Sequence, residues 1–209
     1  MNAVRIFARG GGIFLLLSLL GASLLAQNLI VRNNSNFTGS GTINVSGNIN
    51  TGSLTVDKSI SGTVNLTGTN QSVGTAGTNT LTFSTLNANN SGTKTQGIAR
   101  VAVASALSVA NGVTYDVDVR RLTISGTSGL AGTGTIDVSD ASSIVDFDRN
   151  DGTPQTVLGL TYAGTLNLSG SSAKDFGGPG SAATMTHAGG DLTVDENWSV
   201  SGSGTFATI

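Results

Sequence analysis

The densest group of potential ligands in this sequence is an acidic segment between positions 137 and 151. Within it, Asp146-x-Asp148-x-Asn150 places three oxygen-bearing side chains at alternate positions. Calcium prefers oxygen ligands that a turn can gather in this way. The match to the helix-loop-helix calcium motif then fails, since Asp151 stands where that loop needs glycine and Val157 where it has glutamate. The sequence predicts either a calcium site at Asp146, Asp148 and Asn150 or a solvated acidic loop.

Side chains that commonly catalyse reactions are scarce. The single histidine, His187, has no cysteine in the chain to complete a metal site, so we interpret it as a surface-turn residue. Two pairs of acids, Asp116 with Asp118 and Asp146 with Asp148, are each expected on one strand face. Paired carboxylates cleave glycosidic bonds in many enzymes, but acids on an outer face also simply keep a protein soluble. We expect no catalytic activity, and the alternative is a carbohydrate-active or carbohydrate-binding protein.

A repeated turn-strand unit must position these side chains. In each copy two apolar residues stand two apart and polar residues fill the alternate positions, which is the pattern of a half-buried strand. Glycines bracket the unit, as expected where the backbone turns sharply. The copies span residues 41–47, 62–68, 134–139 and 164–170. The side chains predicted to face inward are Ile43, Val45, Val64, Leu66, Ile136, Val138, Leu166 and Leu168.

Further apolar pairs continue between and beyond these copies as a degenerate repeat. They include Leu54 with Val56 and Leu192 with Val194. The pattern predicts a strand over 99–110 with a bend at 104–106, and a strictly alternating strand over 113–119. Asn111-Gly112 between them is typical of a tight hairpin. The recurrence of apolar pairs on both sides favours a corner between stacked strands instead.

The repeats predict an all-β protein, a parallel β-helix or β-solenoid of degenerate repeats, with an antiparallel β-sandwich as the alternative. Sandwiches usually have more aromatic residues than the 5% found here. Stacked turns of similar strands would also place Thr over Thr and Asn over Asn in ladders. With about 20 to 25 residues per turn and a rise of about 4.8 Å, the chain makes roughly eight turns.

The composition and charge of the chain restrict its possible location and partners. Residues 1–26 have the features of a secretory signal peptide, with Arg5 and Arg9 before a short apolar run, so 27–209 is expected to form the exported β-solenoid domain. The chain has no cysteine and a formal net charge of −2. It lacks a basic patch, which argues against nucleic-acid binding, and no membrane span is expected after signal cleavage. Trp198 is interpreted as a core or capping residue, with sugar stacking as the alternative.

Three repeats show a resemblance to known proteins: Gly134-Thr135-Ile136-Asp137-Val138-Ser139, Leu54-Thr55-Val56-Asp57 and residues 107–115. They resemble the degenerate strand repeats of bacterial surface proteins such as autotransporter passengers, filamentous-haemagglutinin-like adhesins and the repeat regions of type IX secreted proteins. The resemblance implies a secreted or cell-surface β-helix with a structural or adhesive role, either part of a longer adhesin or assembled into extracellular filaments. The expected partners are other copies of the chain or a surface or matrix polysaccharide. The only cofactor that the sequence suggests is calcium, at Asp146, Asp148 and Asn150.

Overall fold

The computed structural model describes an all-β chain wound into a parallel β-solenoid of about eight turns. It describes residues 16–19, 23–52, 54–75, 77–131, 134–194 and 197–206. All strand pairs within these ranges are parallel. The predicted solenoid is therefore confirmed, and the alternative β-sandwich is wrong. The same ranges contain no helix with the length and apolar character needed to cross a membrane.

Most strands are short, and each turn of the solenoid returns the chain to the same sheets. Their bounds are β1 (Leu16–Leu19), β2 (Ser23–Ala26), β3 (Leu29–Ile30), β4 (Asn36–Gly39), β5 (Thr42–Val45), β6 (Ile49–Asn50), β7 (Lys58–Leu66), β8 (Gln71–Val73), β9 (Thr80–Ala88), β10 (Gly92–Gln96), β11 (Arg100–Ala110), β12 (Val113–Asp116), β13 (Arg121–Ile124), β14 (Thr127–Ala131), β15 (Thr135–Asp137), β16 (Ile144–Phe147), β17 (Gln155–Val157), β18 (Thr161–Ser169), β19 (Lys174–Phe176), β20 (Gly180–Ala188), β21 (Leu192–Thr193), β22 (Trp198–Val200) and β23 (Gly204–Phe206). They form a 14-stranded, a 6-stranded and a 3-stranded sheet. Side chains that hydrogen-bond in register across neighbouring turns lie 19 to 23 positions apart, which is the length of one turn.

Five long strands, β7, β9, β11, β18 and β20, pass a corner of the solenoid without ending. Register shifts occur in β7 between Ile60 and Thr63, in β11 between Val103 and Ala106, and in β18 between Tyr162 and Thr165. The predicted bend at 104–106 is therefore confirmed. Gly62 shows why glycine stands at such a corner, since its φ is 78°. A Cβ there would also lie 2.3 Å from the carbonyl oxygen of Gly41 on the preceding turn.

Alternate side chains of each turn pack inside the solenoid. All eight side chains predicted to face inward are buried. Neighbouring turns hold them in columns, as where Ile43, Val64 and Leu86 lie side by side on β5, β7 and β9. Burial of one such side chain contributes roughly 1.5–3 kcal/mol. The interior columns are therefore a major source of stability.

Two predicted apolar pairs are only partly buried. Leu54 is buried, but Val56 is 46% exposed and lies in a bend outside any strand. The backbone N–H of Thr55 donates to the Asn33 side chain rather than to a neighbouring strand, which explains the loss of alternation there. Val194 is exposed beyond the end of β21. The prediction of a continued strand is wrong at both valines.

The predicted strand over 113–119 is shorter in the structure. Strand β12 ends at Asp116, because the backbone N–H of Asp118 turns back to the Asp116 carboxylate at 2.9 Å. Asp118 has a positive φ of 53°, so the two acids do not share one strand face. Asn111-Gly112 forms a corner as predicted, since β12 pairs in parallel with β10 and β15 rather than folding back as a hairpin.

The segment predicted as a signal peptide contains two strands of the structure. β1 pairs with β4 and β2 pairs with β5, both in parallel. Residues 1–15 and 20–22 lie outside the described residues. These pairings do not bear on cleavage after residue 26, which stays a prediction.

Candidate functional site

An outward row of hydrogen-bonded side chains surrounds the predicted ligand Asp146. Strands β13, β16, β18 and β20 present Thr123, Asp146, Asn167 and Thr186 in register on successive turns, and we call this row the Asp146 ladder. Thr123 Oγ1 donates to Asp146 Oδ2 at 3.0 Å. Asn167 Nδ2 donates to Asp146 Oδ1 at 2.6 Å, and Thr186 Oγ1 donates to Asn167 Oδ1 at 2.6 Å. The carboxylate is thus held by the turns on both sides of it.

Arg121 completes the ladder with a two-point ion pair. Its Nε donates to Asp146 Oδ2, and its Nη2 donates to Asp146 Oδ1 at 3.0 Å. Asp146 is only 3% exposed, and a carboxylate so shielded from water requires partners of this kind. Arg121 lies in register with Ile144, so it reaches Asp146 diagonally across the strands. Arg121 and Asp146 are 25 positions apart, and the local sequence pattern does not predict their contact.

The other two predicted ligands act on the backbone around them. Asn150 Nδ2 donates to the Asp148 carbonyl oxygen at 2.7 Å, and Asn150 Oδ1 accepts the backbone N–H of Ser171 at 3.0 Å. Asp148 Oδ1 is buried without a hydrogen-bond partner among the residues that the structure describes. Burial lowers the pKa of the Lys174 ammonium, and the nearby Asp148 carboxylate opposes that shift. Asp148 is therefore placed close enough to Lys174 to interact with its charge.

The calcium site stays a prediction. Within the described ranges no group of three or more His, Cys, Asp or Glu residues has a geometry that could hold a metal ion. Asp146 already forms an ion pair with Arg121. The side-chain oxygen of Asn150 already accepts the backbone N–H of Ser171 on the next turn. Calcium binding at Asp146, Asp148 and Asn150 would require Asp146 to exchange Arg121 for the metal.

Many other Asn and Asp side chains in the described part of the chain close a turn or accept a backbone N–H from the next turn. Asp116 Oδ1 accepts the N–H of Asp118 at 2.9 Å, and Asp137 Oδ1 accepts the N–H of Ser139 at 3.0 Å. Other side chains accept a backbone N–H one turn further along: Asn28 from Asn48, Asn33 from Thr55, Asn48 from Ser72, Asp57 from Thr80 and Asn70 from Thr93. The first two are the local bonds for which Asn and Asp are preferred in turns, whereas the others link successive turns of the solenoid. Of the two acidic pairs predicted as carbohydrate-cleaving candidates, Asp116 with Asp118 therefore forms a turn, whereas Asp146 belongs to the Asp146 ladder.

Two Gln–Lys pairs lie inside the solenoid, where the sequence pattern predicted apolar residues only. Gln71 is in register with Lys94 on the next turn, and Gln155 is in register with Lys174. All four are buried. Gln155 Nε2 donates to the carbonyl oxygens of Ile124 and Gly126 at 2.7 and 2.9 Å, and Gln71 Nε2 binds the corresponding carbonyls of Val45 and Gly47. Each glutamine thus bridges two carbonyl oxygens of another turn: Val45 and Ile124 also accept a backbone N–H, from Thr67 and Asp148, whereas Gly47 and Gly126 follow the ends of those strand pairings.

Lys94 serves the same purpose with a charged group. Its Nζ donates to the carbonyl oxygens of Gly68, Thr69 and Ser91, the last two at 3.0 and 2.9 Å. The residue is 0% exposed, and this burial lowers the pKa of its ammonium. Tyr115 lies beside Lys94 in register on the following turn and is also fully buried. Burial, and then the charge of Asp116, raise the pKa of the Tyr115 phenol above its ordinary value.

Trp198 and His187 both belong to the last described turns. Trp198 stacks on Tyr162 with ring centroids 6.1 Å apart and contacts Phe176 at 4.1 Å. Its Nε1 donates to the Gly178 carbonyl oxygen at 2.7 Å, so it packs as a plug rather than as an open stacking platform. His187 is buried next to Leu168, and the interpretation as a surface-turn residue is wrong because the alternation of β20 turns it inward.

The Asp146 ladder predicts a stability effect. Asp146→Ala should lower the free energy of unfolding by about 1–3 kcal/mol, because Arg121, Thr123 and Asn167 lose their acceptor. Denaturant unfolding followed by Trp198 fluorescence measures it. Asp191→Ala, at an exposed position, is the matched control and should stay within about 0.5 kcal/mol of wild type. A calcium-dependent rise in the wild-type midpoint that is lost in Asp146→Ala would support the calcium site, and an unchanged midpoint would reject it.

The two tyrosines predict an alkaline limit of stability. Burial raises the pKa of both Tyr115 and Tyr162, whereas an unfolded tyrosine ionises at about pH 10. Their contribution to the free energy of unfolding is therefore complete below that pH and declines as the pH rises above it. Tyrosinate absorbance should appear only together with the change in Trp198 fluorescence that marks unfolding. Ionisation of either tyrosine while the fluorescence is still native would contradict the burial.

Comparisons with protein-family models, with curated proteins and with solved structures found no match for this chain. The strands of this chain and their registers support a parallel β-solenoid built from repeats. The resemblance to bacterial surface proteins continues to rest on the turn-strand units alone.

Proposed function

We propose that this protein is a non-catalytic structural or adhesive β-solenoid that acts outside the cell or at its surface. The observation that supports this most directly is the use of the outward polar side chains. Asp146, Asn167 and Asn150 bond to neighbouring turns, and Asp116 and Asp137 close turns. Groups used in this way stiffen a rod and display a regular surface.

The alternative, a carbohydrate-active enzyme, requires a groove with convergent carboxylates. A pocket of about 380 Å³ is lined by Ile30, Val31, Arg32, Asn33, Asn34, Asn50, Thr51 and Gly52. No acidic residue lines it, so a pair of carboxylates is not available there for hydrolysis. The proposal of a non-catalytic role is consistent with this pocket.

The proposed location rests on the sequence. The apolar, arginine-flanked segment 1–26 has the character of an export signal. The absence of cysteine is compatible with an exported protein whose stability comes from stacked turns. The partners we propose are a surface or matrix polysaccharide or other copies of the chain.

Export and enzymatic inactivity can be tested together. We expect the tagged protein to be sensitive to added protease on intact cells, and the purified protein to leave neutral and acidic polysaccharides undegraded. Cells lacking the gene should attach less well or build less matrix. Depolymerisation that is lost in Asp116→Asn or Asp146→Asn but kept in the control Asp191→Asn would contradict the proposal. Retention of the protein inside the cell would contradict its location.

A further inference from the structure

One face of the solenoid carries a regular array of threonine and asparagine. Strands β5, β7 and β9 place Thr42, Thr63 and Thr85 in one row and Asn44, Asn65 and Asn87 in a second row, two positions along each strand. Strand β11 continues the rows with Ala106 and Ser108, and β14 continues them with Thr127 and Gly129. We call these two rows on five neighbouring turns the Thr–Asn face.

The Thr–Asn face is held rigid from within. Asn65 Nδ2 donates to Asn44 Oδ1 at 2.7 Å, and Asn87 Nδ2 donates to Asn65 Oδ1 at 2.9 Å. The alternate side chains of the same strands, such as Val64 and Leu86, are fully buried and fix the backbone beneath. Adjacent strands lie about 4.8 Å apart and alternate residues about 6.6 Å apart along a strand. On β5, β7 and β9 the face is therefore an ordered two-dimensional lattice of hydroxyl, methyl and amide groups.

The Thr–Asn face also differs from the other faces in charge. Residues 42–45, 63–66, 85–88, 106–110 and 127–131 contain no acidic, basic or aromatic residue. Other outward strand positions carry Arg121 and Asp146, or Asp116 and Asp137. An uncharged face does not select a charged partner. Its periodicity selects a partner that is itself periodic in two directions.

We propose that the Thr–Asn face binds ice. An ice surface is neutral and periodic, and its shorter lattice repeat lies close to the spacing between strands. Bound water can be ordered by threonine methyls and hydroxyls and by fixed amides at lattice positions. A crystalline polysaccharide fits less well, because sugar faces are commonly met by aromatic rings, which this face lacks. Face-to-face pairing of two copies fits less well too: five strands span only roughly 20 Å, whereas stable protein interfaces bury about 800 Å² per partner.

Ice recrystallisation, ice-crystal shaping and thermal hysteresis test the proposal with the purified protein. Wild type should inhibit recrystallisation and shape ice crystals. Thr63→Lys, at the centre of the threonine row, should lose both activities because a lysine breaks the lattice. Thr114→Lys is the matched control, since Thr114 stands between Thr93 and Thr135 in an outward threonine row on a different sheet. It should keep both activities.

Unfolding midpoints from Trp198 fluorescence establish that the variants are folded, and Thr42→Lys replaces Thr63→Lys if the latter is not. Inactive wild-type protein, or equal activity in the wild type and the folded Thr63→Lys or Thr42→Lys variant, would overturn the proposal. Loss of activity in Thr114→Lys would overturn the assignment of the face. Co-sedimentation with crystalline cellulose or chitin that is lost in Thr63→Lys, without an effect on ice, would assign the face to a polysaccharide instead.

Discussion

The backbone hydrogen bonds between successive turns are the interaction on which the rest of this structure depends. Thr63 N–H donates to the Gly41 carbonyl at 3.0 Å, and Thr67 N–H donates to the Val45 carbonyl at 2.8 Å. Once the turns are bonded in parallel register, each side chain lies beside its counterpart one turn away. Interior columns and outward ladders are both consequences of this single repeat. A residue's role therefore depends more on its counterparts in neighbouring turns than on its neighbours in sequence.

The corners are the weak points of this arrangement. A corner interrupts the regular pairing and leaves carbonyl oxygens facing the interior, where each unsatisfied group is costly. Side chains bind such carbonyls at two places: Gln71 and Lys94 do so on one pair of neighbouring turns, and Gln155 and Lys174 on another. The same Gln–Lys order on successive turns indicates that the device is tied to the corner geometry. Hydrogen bonds to these carbonyls also explain how fully buried lysines are tolerated in a largely apolar interior.

The alternation of apolar and polar residues made much of the fold predictable from the sequence. The exceptions occur where contacts between turns determine the position of a side chain. The inward positions of Ile43 and Val138 follow from period-2 patterning, and stacking of Asn44 on Asn65 follows from near-identical repeats. Inward-facing Lys94 could not be predicted, because its burial depends on carbonyl groups supplied by the folded corners. The Arg121–Asp146 pair is a diagonal contact between turns of unequal length, so it requires the register that only the structure gives. The prediction that Val56 lies in a strand is wrong because the neighbouring backbone N–H of Thr55 donates to the Asn33 side chain instead of to another strand.

Paired cysteines introduced into this cysteine-free chain test the parallel, in-register stacking most directly. Asn44 and Asn65 lie side by side on β5 and β7, and parallel strands bring such residues about 4.8 Å apart, within the range that a disulfide spans. The Asn44→Cys/Asn65→Cys protein should oxidise readily to an intramolecular disulfide. The Asn44→Cys/Thr63→Cys control, shifted by two residues, should not. Efficient bridging of the shifted pair, or none in the aligned pair, would contradict the stacked-turn architecture.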